Sequence, residues 1–291
     1  MLCERIGRLL FFGLLISPVT VPLSLATQVS DPVLQAAKEA ERALGARVGY
    51  AIHDTHDGRT WQYRADERFP MASTVKVLVC SALLHQGRVS LARTVTIQQH
   101  DILPYAPVTQ GMVGEDVSAS RLCAITLETS DNTAVNGVLK ALGGPATVTA
   151  FLRSIGDQTT RADRSEPELN EGRPGDERDT TSPQAMQRTL EALVLGTALD
   201  KAAQAQLTRW MESNKVSGTL LRNGLPNDWR IADRSGSGGF GSRGVVAVMW
   251  PPGRGPIVAA IYLTQTQATL EQQDAAIAAI GRSLSHSVMR E

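Results

Sequence analysis

Residues 69–84 read FPMASTVKVLVCSALL and separate two kinds of sequence pattern. Before them, residues 47–66 alternate apolar and polar side chains around Asp57-Gly58, which predicts a β-hairpin with a two-residue turn. Inside the stretch, Pro70 stands where a helix would begin, and the apolar run after it is typical of a buried helix. From this point to about residue 212 the patterns are mostly helical.

Strand patterns return near the end of the chain, after the helical middle. Short β-branched runs occupy residues 229–235, 244–250 and 257–264, and further helical patterns occupy residues 31–45 and 268–286. Sequential strands joined by short turns imply an antiparallel sheet, which the two terminal helices can cover. We therefore predict an α+β fold in which this sheet and an all-helical lobe enclose a cleft, a usual place for a small-molecule site.

The first residues have the pattern of a secretory signal peptide. Arg5 and Arg8 are positively charged, residues 9–16 are mostly apolar, and Ser24-Leu25-Ala26 provides the small residues of a cleavage site. The apolar run is shorter than the roughly 20 residues that span a bilayer, so a membrane anchor is the weaker alternative. We expect residues 1–26 to be removed and the mature chain to be periplasmic or secreted.

The mature chain is expected to form two domains, a sheet domain from residues 27–66 and 213–291 and an all-helical domain from residues 67–212. Lys plus Arg and Asp plus Glu each number 29, so the formal net charge is zero. Such a chain has no overall basic field that would attract nucleic acid or an anionic membrane. We expect a monomer that binds neither.

The chain contains three cysteines, of which Cys3 leaves with the signal peptide. The remaining pair, Cys80 and Cys123, would lie in an oxidising compartment, which favours a disulfide between them. Two buried free thiols are the alternative, because cysteine is commonly buried without a bonded partner.

Ser73 and Lys76 form the first candidate catalytic pair. Lys76 is the only lysine with a serine three residues before it, and this spacing puts both side chains on one face of a helix. A serine hydroxyl becomes a nucleophile when a nearby base takes its proton, and a buried lysine amine can be that base because burial lowers its pKa. On its own this pattern also arises by chance.

Three further polar groups follow along the chain. Ser130-Asp131-Asn132 is either a helix N-cap or a proton shuttle followed by a substrate-binding amide. Glu166 and Asn170 lie either in a solvated loop or in a site where a general base and an amide hold a water. Arg234-Ser235-Gly236-Ser237-Gly238 is either a glycine-rich turn or a site for an anionic substrate.

The four groups in this order resemble the class A serine β-lactamases. Class A β-lactamases and penicillin-binding proteins share the motifs S-x-x-K, S-D-N and K-T-G. This chain has the first two intact and carries the third as Arg234-Ser235-Gly236. The Glu-x-x-Leu-Asn element that begins at Glu166 resembles class A specifically. The resemblance covers essentially all of the chain after the signal peptide.

The resemblance implies that Ser73 opens the ring of a β-lactam and that Glu166 activates the water that hydrolyses the acyl-enzyme. It makes Lys76 the adjacent base and Ser130 the proton donor to the departing nitrogen, while either Lys76 or Glu166 serves as the acylation base. The backbone N–H groups of Ser73 and Ser237 would form the oxyanion hole. Substrate-binding roles are implied for Asn132, Asn170, Tyr105, Arg234, Ser235, Gly236, Ser237 and Arg243.

Structural roles are implied as well. Arg164 and Asp179 resemble an ion pair that closes the loop carrying Glu166, and the bond before Pro167 resembles a cis peptide. Cys80 and Cys123 resemble a disulfide that some members of the family carry.

Arg234 departs from the usual lysine, and its guanidinium is a planar fork where an ammonium would be a point charge. Together with Gly239 and Phe240, this departure resembles the carbenicillin-hydrolysing branch of the family. The expected substrates are therefore penicillins, including carboxypenicillins, with water as the second reactant. Such an activity confers resistance to β-lactam antibiotics.

Other readings explain parts of this pattern. A DD-peptidase of the penicillin-binding class would share Ser73 and Lys76 but lacks an equivalent of Glu166, and a β-lactam sensor would need a membrane tether. His53 and His56 would lie at the predicted hairpin turn with solvated side chains, and the cysteine spacing is unlike that of zinc sites. We therefore expect no metal and no cofactor.

Overall fold

The computed structural model describes Leu2 and residues 31–289, so the predicted signal peptide and its cleavage site lie outside the described residues. The α-helices in this part of the chain are α1 (Pro32–Leu44), α2 (Val75–His85), α3 (Arg88–Ala92), α4 (Ala119–Thr129), α5 (Asn132–Leu142), α6 (Pro145–Ser154), α7 (Pro183–Val194), α8 (Lys201–Glu212) and α9 (Leu270–Met289). The strands are β1 (Arg47–Asp54), β2 (Thr60–Tyr63), β3 (Phe69–Pro70), β4 (Thr94–Thr96), β5 (Asp116–Ser118), β6 (Thr180–Thr181), β7 (Arg230–Gly238), β8 (Ser242–Trp250) and β9 (Ile257–Thr264).

The main sheet has five strands in the order β2-β1-β9-β8-β7, and every neighbouring pair is antiparallel. Its first and last parts come from opposite ends of the chain, because β1 pairs along its whole length with β9. Helices α2 to α8 are formed by the residues between β2 and β7. The predicted α+β class, with an antiparallel sheet and a helical middle, is confirmed.

Strand β9 explains why the sheet residues are so continuously apolar. All eight of its residues are buried. Val258, Ala260 and Tyr262 pack in the core shared with α2 and the other middle helices. The alternate residues, such as Ile257 and Ile261, pack on the opposite face in the core formed with α1 and α9. Because side chains alternate along a strand, helices on both faces require apolar residues at every position.

The chain from Asp31 onward forms one compact unit, with these two cores on the two faces of the sheet. The division at residues 66 and 213 stays a prediction. Within residues 31–289, no helix is long and apolar enough to cross a membrane.

Helix α1 forms as its sequence predicts. Asp31 is the N-cap, and its carboxylate accepts hydrogen bonds from the backbone N–H groups of Val33 and Leu34. Pro32 occupies the first turn, and Gly45 ends the helix in the left-handed conformation with φ 57°.

Two local predictions are wrong in detail, and one alternative that the sequence left open is excluded. The connection between β1 and β2 spans residues 55–59 because Asp54 pairs with Arg59, so it is longer than two residues. Pro70 lies in the short strand β3, and the helix begins only at Val75. Arg234 to Gly238 are not a turn, because they pair with β8 as the second half of strand β7.

Cys80 and Cys123 form the disulfide that the sequence predicts. Cys80 in α2 and Cys123 in α4 are both buried, and their Cα atoms are 5.6 Å apart. The bond joins residues 43 apart in sequence, for which chain entropy predicts a stabilisation of about 4 kcal/mol.

Candidate active site

Ser73 lies in a single turn of 3₁₀ helix, Ala72–Thr74, immediately before α2. The turn starts from the short pairing of β3 with β6, and Ala72 enters it with a left-handed φ of 44°. This conformation is costly for a residue with a Cβ and is concentrated at functional sites. The Thr74 hydroxyl donates to the carbonyl of Met71 at 2.8 Å and closes the turn.

The amine of Lys76 contacts polar groups of three other residues in the site. Its buried amine donates to the Ser130 carbonyl at 2.9 Å, the Ser130 Oγ at 3.1 Å and the Asn132 Oδ1 at 2.6 Å. The carboxylate Oε1 of Glu166 lies 3.1 Å from the same Nζ. Burial lowers the pKa of Lys76 to about 8, although the charge of Glu166 acts in the opposite direction. At pH 7, roughly one amine in ten would therefore be neutral and able to accept a proton.

Ser130 links this lysine to the nucleophile, because its Oγ donates to the Ser73 Oγ at 3.3 Å. The serine ends α4 in a left-handed conformation, φ 65°, which turns its side chain at the junction with α5. The adjacent Asp131 is the N-cap of α5, so the N-cap reading of this motif also holds. Its buried carboxylate further accepts the backbone N–H groups of Val108 and Thr109.

The functional importance of Asp131 was not predicted from the sequence. By anchoring residues 108–109 to the start of α5, it fixes the loop from which Tyr105 reaches the cleft. The backbone N–H of Asn132 also donates to the Tyr105 carbonyl at 2.9 Å. The only sequence signal was the aspartate inside the Ser-Asp-Asn motif, which by itself indicates an ordinary cap.

Glu166 is held by two amide side chains. Its backbone N–H donates to Asn136 Oδ1 at 2.9 Å, and Asn136 Nδ2 donates to its carbonyl at 2.8 Å. Asn170 Nδ2 donates to Glu166 Oε2, and the peptide bond before Pro167 is cis. Asn136 could not be predicted from the sequence, because its immediate neighbours in α5 are apolar and it belongs to none of the four motifs.

The loop that carries Glu166 is closed at its base by a buried carboxylate. Asp179 accepts from Arg164 Nε at 2.6 Å and from the backbone N–H groups of Asp163 and Arg164 at 2.8 and 3.0 Å. Arg164 also binds Glu171 at 2.6 Å. The guanidinium of Arg164, at the start of the loop, thus binds both Glu171 in its middle and Asp179 at its end.

Strand β7 forms the opposite wall and runs directly against the Ser73 turn. A Cβ at Gly236 would lie 2.7 Å from Ser73 N and 2.9 Å from Met71 O, so only glycine permits this approach. Ser235 donates from its Oγ to the Val216 carbonyl at 3.3 Å. Arg243 on the neighbouring strand donates to the Gly236 carbonyl at 3.2 Å.

Two arginines supply positive charge at this wall. Arg234 is almost completely buried, and burial lowers the pKa of its guanidinium to about 10, so it remains cationic at neutral pH. Its Nε donates weakly to the Ser73 carbonyl at 3.4 Å. Arg243 is paired with the Asp274 carboxylate at 2.6 Å.

The site residues surround one cleft of about 330 Å³, and half-exposed Tyr105 lies at its rim. Buried Lys76 and Glu166 stand behind the cleft wall, whereas Arg164, Asp179 and the disulfide support the structure around it. The cleft is lined by Ser73, Tyr105, Ser130, Asn132, Asn170, Val216, Arg234, Ser235, Gly236, Ser237 and Arg243.

A larger groove of about 650 Å³ lies at the β2 edge of the sheet and contains no candidate nucleophile from the sequence analysis. His53 lies there, on β1, with its Nδ1 2.8 Å from Glu191 Oε2. The expectation that His53 is a solvated turn residue is therefore wrong, because this position is inside a strand.

Comparison with known proteins shows which family the chain is similar to. A family model described as the β-lactamase enzyme family matches residues 32–288. The β-lactamase PSE-4 of Pseudomonas aeruginosa is 47% identical over 279 residues, which cover 95% of this chain and 96% of that protein. The β-lactamase AER-1 of Aeromonas hydrophila is 46% identical over 272 residues, covering 92% of this chain and 90% of that protein.

Solved structures agree with the sequence comparison. An ancestral Gram-negative class A β-lactamase superposes with a TM-score of 0.85 at 48% identity, covering 88% of this chain and 99% of that one. The chromosome-encoded β-lactamase of Vibrio parahaemolyticus superposes with a TM-score of 0.86 at 41% identity, covering 89% of this chain and 100% of that one. The chain belongs to the β-lactamase enzyme family and, within it, to the class A serine β-lactamases.

Proposed function

We propose that the mature chain hydrolyses penicillins, including carboxypenicillins, through an acyl-enzyme formed on Ser73. The observation that carries this proposal is the position of the Lys76 amine. It lies 3.1 Å from both the Ser130 Oγ and the Glu166 Oε1, in a site where burial lowers its pKa. Ser130 in turn lies 3.3 Å from the Ser73 Oγ. One connected path therefore joins the nucleophile to both candidate bases.

In the acylation step, the Ser73 Oγ attacks the carbonyl carbon of the β-lactam. Its proton passes either to neutral Lys76 or, through a water, to Glu166. Backbone N–H groups of Ser73 and Ser237 would stabilise the negative oxygen of the tetrahedral intermediate. The C–N bond then breaks, and Ser130 passes a proton to the departing nitrogen. Its contact with the Lys76 ammonium provides the source of that proton.

In the deacylation step, Glu166 takes a proton from a water that attacks the ester carbonyl. The bond to Ser73 Oγ breaks, and that oxygen takes up the proton that Glu166 removed from the water, so that both residues return to their first state. Asn170 Nδ2 donates to Glu166 Oε2, so Asn170 would help to orient the water beside that carboxylate. Asn136 supports this role by fixing the Glu166 backbone from both sides.

Substrate carboxylates would bind between Arg234, Ser235 and Arg243. These residues place two cations and a hydroxyl along the same strand wall, opposite Ser130 and Asn132. A planar guanidinium can form two parallel hydrogen bonds to a carboxylate, which supports turnover of substrates that carry an extra acidic group.

The remaining parts of the proposal concern the state of the mature protein. We propose that it is exported to the periplasm or secreted after removal of residues 1–26, and that it acts as a monomer without nucleic acid. The sheet domain would comprise residues 27–66 and 213–291, with residues 67–212 as the helical domain.

The test mixes the purified mature protein with excess benzylpenicillin and follows both β-lactam absorbance and the intact protein mass. We expect the wild type to consume many equivalents without a lasting adduct, and Glu166→Ala to accumulate one penicilloyl group. Glu168→Ala is the matched control, because Glu168 is exposed on the same loop. A wild type that stops after one equivalent and keeps the adduct would instead be a penicillin-binding protein or a sensor.

The same assay tests the substrate range. We expect the kcat/KM for carbenicillin to exceed the value for a cephalosporin such as cephalothin. Equal or faster turnover of the cephalosporin would contradict the assignment of carboxypenicillins.

A further inference from the structure

Within residues 31–289, the buried cation Arg234 has no close counter-ion. Among the described residues, its hydrogen bonds are to the Ser73 carbonyl and to Asn214 Oδ1, both at 3.4 Å, and no carboxylate forms an ion pair with it. The preceding residue, Asp233, is fully buried and would be the natural partner. Its carboxylate instead pairs with Arg222 at 2.8 Å.

Asn214 separates these two charged groups. Its Nδ2 donates to Asp233 Oδ1 and to the Asp233 carbonyl, both at 3.0 Å. Its Oδ1 accepts from Arg234 Nη1 at 3.4 Å and from the backbone N–H of Val216 at 3.0 Å. The buried amide thus presents a donor to the anion and an acceptor to the cation while carrying no charge itself.

We propose that Asn214 is a positioning residue that holds the Arg234 guanidinium towards the cleft without neutralising it. The inference deepens the proposed function, because it rests on Arg234 binding the substrate carboxylate. A cation that is removed from water and has no ionic partner in the protein binds an incoming carboxylate more strongly than a neutralised one. Asn214 therefore contributes to affinity without touching the substrate.

The variant Asn214→Asp would introduce a titratable charge at this position while keeping the size and shape of the side chain. When protonated, it could donate to Asp233 and accept from Arg234, as the amide does. When ionised, it would pair with Arg234 and face the Asp233 carboxylate at about 3 Å, which raises the pKa values of such a pair. The effect of Asn214→Asp should therefore grow as the pH rises.

Other charged groups also surround this position. Asp233 and Arg222 face the amide on one side and Arg234 on the other. On its own segment, Glu212 and Lys215 are paired with other residues. Arg243 on the neighbouring strand lies on the same wall as Arg234, and the remaining titratable groups that interact with Arg234 are Glu166, Lys76 and Tyr105.

The experiment compares kcat/KM for benzylpenicillin with kcat/KM for its methyl ester between pH 6 and pH 9. The ratio of acid to ester isolates recognition of the substrate carboxylate, because a change in the protonation of Lys76 affects the turnover of both substrates. We expect the wild type to prefer the acid throughout. Asn214→Asp should match it near pH 6 and lose about tenfold of that preference towards pH 9, the size of one charge-assisted hydrogen bond.

Two further variants complete the design. Asn214→Ser removes the acceptor for Arg234 and adds no titratable group, so the acid preference should fall several-fold at every pH, and it carries the test if Asn214→Asp does not fold. Lys215→Ala changes the net charge by the same amount on an exposed neighbour and should keep the wild-type ratio. Melting temperatures check that each variant is folded.

The inference is overturned if both Asn214 variants keep the wild-type ratio, or if turnover of acid and ester falls together. Failure of the proposed function would look different. A wild type that turns over no penicillin would remove the hydrolase assignment, and a wild type without acid preference would remove the carboxylate site itself.

Discussion

Replacing Gly236 by alanine tests the close approach of strand β7 to the nucleophile turn. The new Cβ would lie 2.7 Å from Ser73 N, 2.9 Å from Met71 O and 2.9 Å from Thr74 N, and all three atoms belong to the backbone. An ordinary contact begins near 3.4 Å, so strand and turn must separate by about 0.7 Å (3.4 less 2.7). Overpacking of this kind costs roughly 1–3 kcal/mol in free energy of unfolding.

The catalytic effect should exceed the effect on stability. The oxyanion hole would consist of the N–H groups of Ser73 and Ser237, which lie on the two surfaces that the alanine pushes apart. Loss of one such donor lowers kcat by about 10²–10³-fold. We therefore expect Gly236→Ala to lose at least about 100-fold in kcat for benzylpenicillin, with a melting temperature lower by several degrees.

Steady-state kinetics and thermal unfolding measure these two effects. Gly111→Ala is the matched control, because a Cβ there meets nothing within 4 Å and the residue is exposed. A kcat for Gly236→Ala within threefold of the wild type, in a folded protein, would show that the glycine is not required for the geometry of the oxyanion hole.

Three other perturbations give separate tests. Changing both Cys80 and Cys123 to serine should lower the melting temperature by on the order of 10 °C, since the cross-link contributes about 4 kcal/mol, with kcat at 25 °C almost unchanged. Asp274→Asn removes the carboxylate 2.6 Å from the second arginine of the cleft, so the KM for benzylpenicillin should fall about twofold to threefold while that for its methyl ester stays constant. In Glu166→Ala, the acylation rate followed by stopped flow should rise with pH and level off below pH 8, because losing that carboxylate lowers the pKa of Lys76 further.

Each of these tests has a contrary outcome. An unchanged melting temperature of the serine double variant would show that the cross-link does not restrict the unfolded chain. An equal fall in KM for acid and ester would remove the electrostatic reason given for Asp274. An acylation rate that is independent of pH would exclude neutral Lys76 as the acylation base.

The short motifs could be predicted because each depends on spacing within a few residues. Ser73 and Lys76, for example, are one helical turn apart wherever the helix packs. The residues that hold the motifs in place could not be predicted in this way. Asn136 and Asn214 act through contacts with segments distant in sequence, and their neighbours give no local signal.

The difference between local spacing and contacts with distant segments also explains which parts of the fold were predicted wrongly. The antiparallel sheet followed from alternation and short connections, whereas the extension of β7 through Gly238 depends on its pairing with β8. Two glycines in that segment indicate a turn when read alone. In the structure, Gly236 and Gly238 are required instead because backbone atoms of other segments lie against them.

The position of β9 in the middle of the sheet also constrains how the chain is made. Both β1 and β8 pair with β9, and each face of β9 completes one of the two cores, yet this strand begins only at Ile257. A growing polypeptide on the ribosome therefore cannot complete either core before residues 257–264 have been made. Until β9 is made, β1 lacks the strand that pairs with it along its whole length, so the main sheet is completed only after the helical middle of the chain has been synthesised.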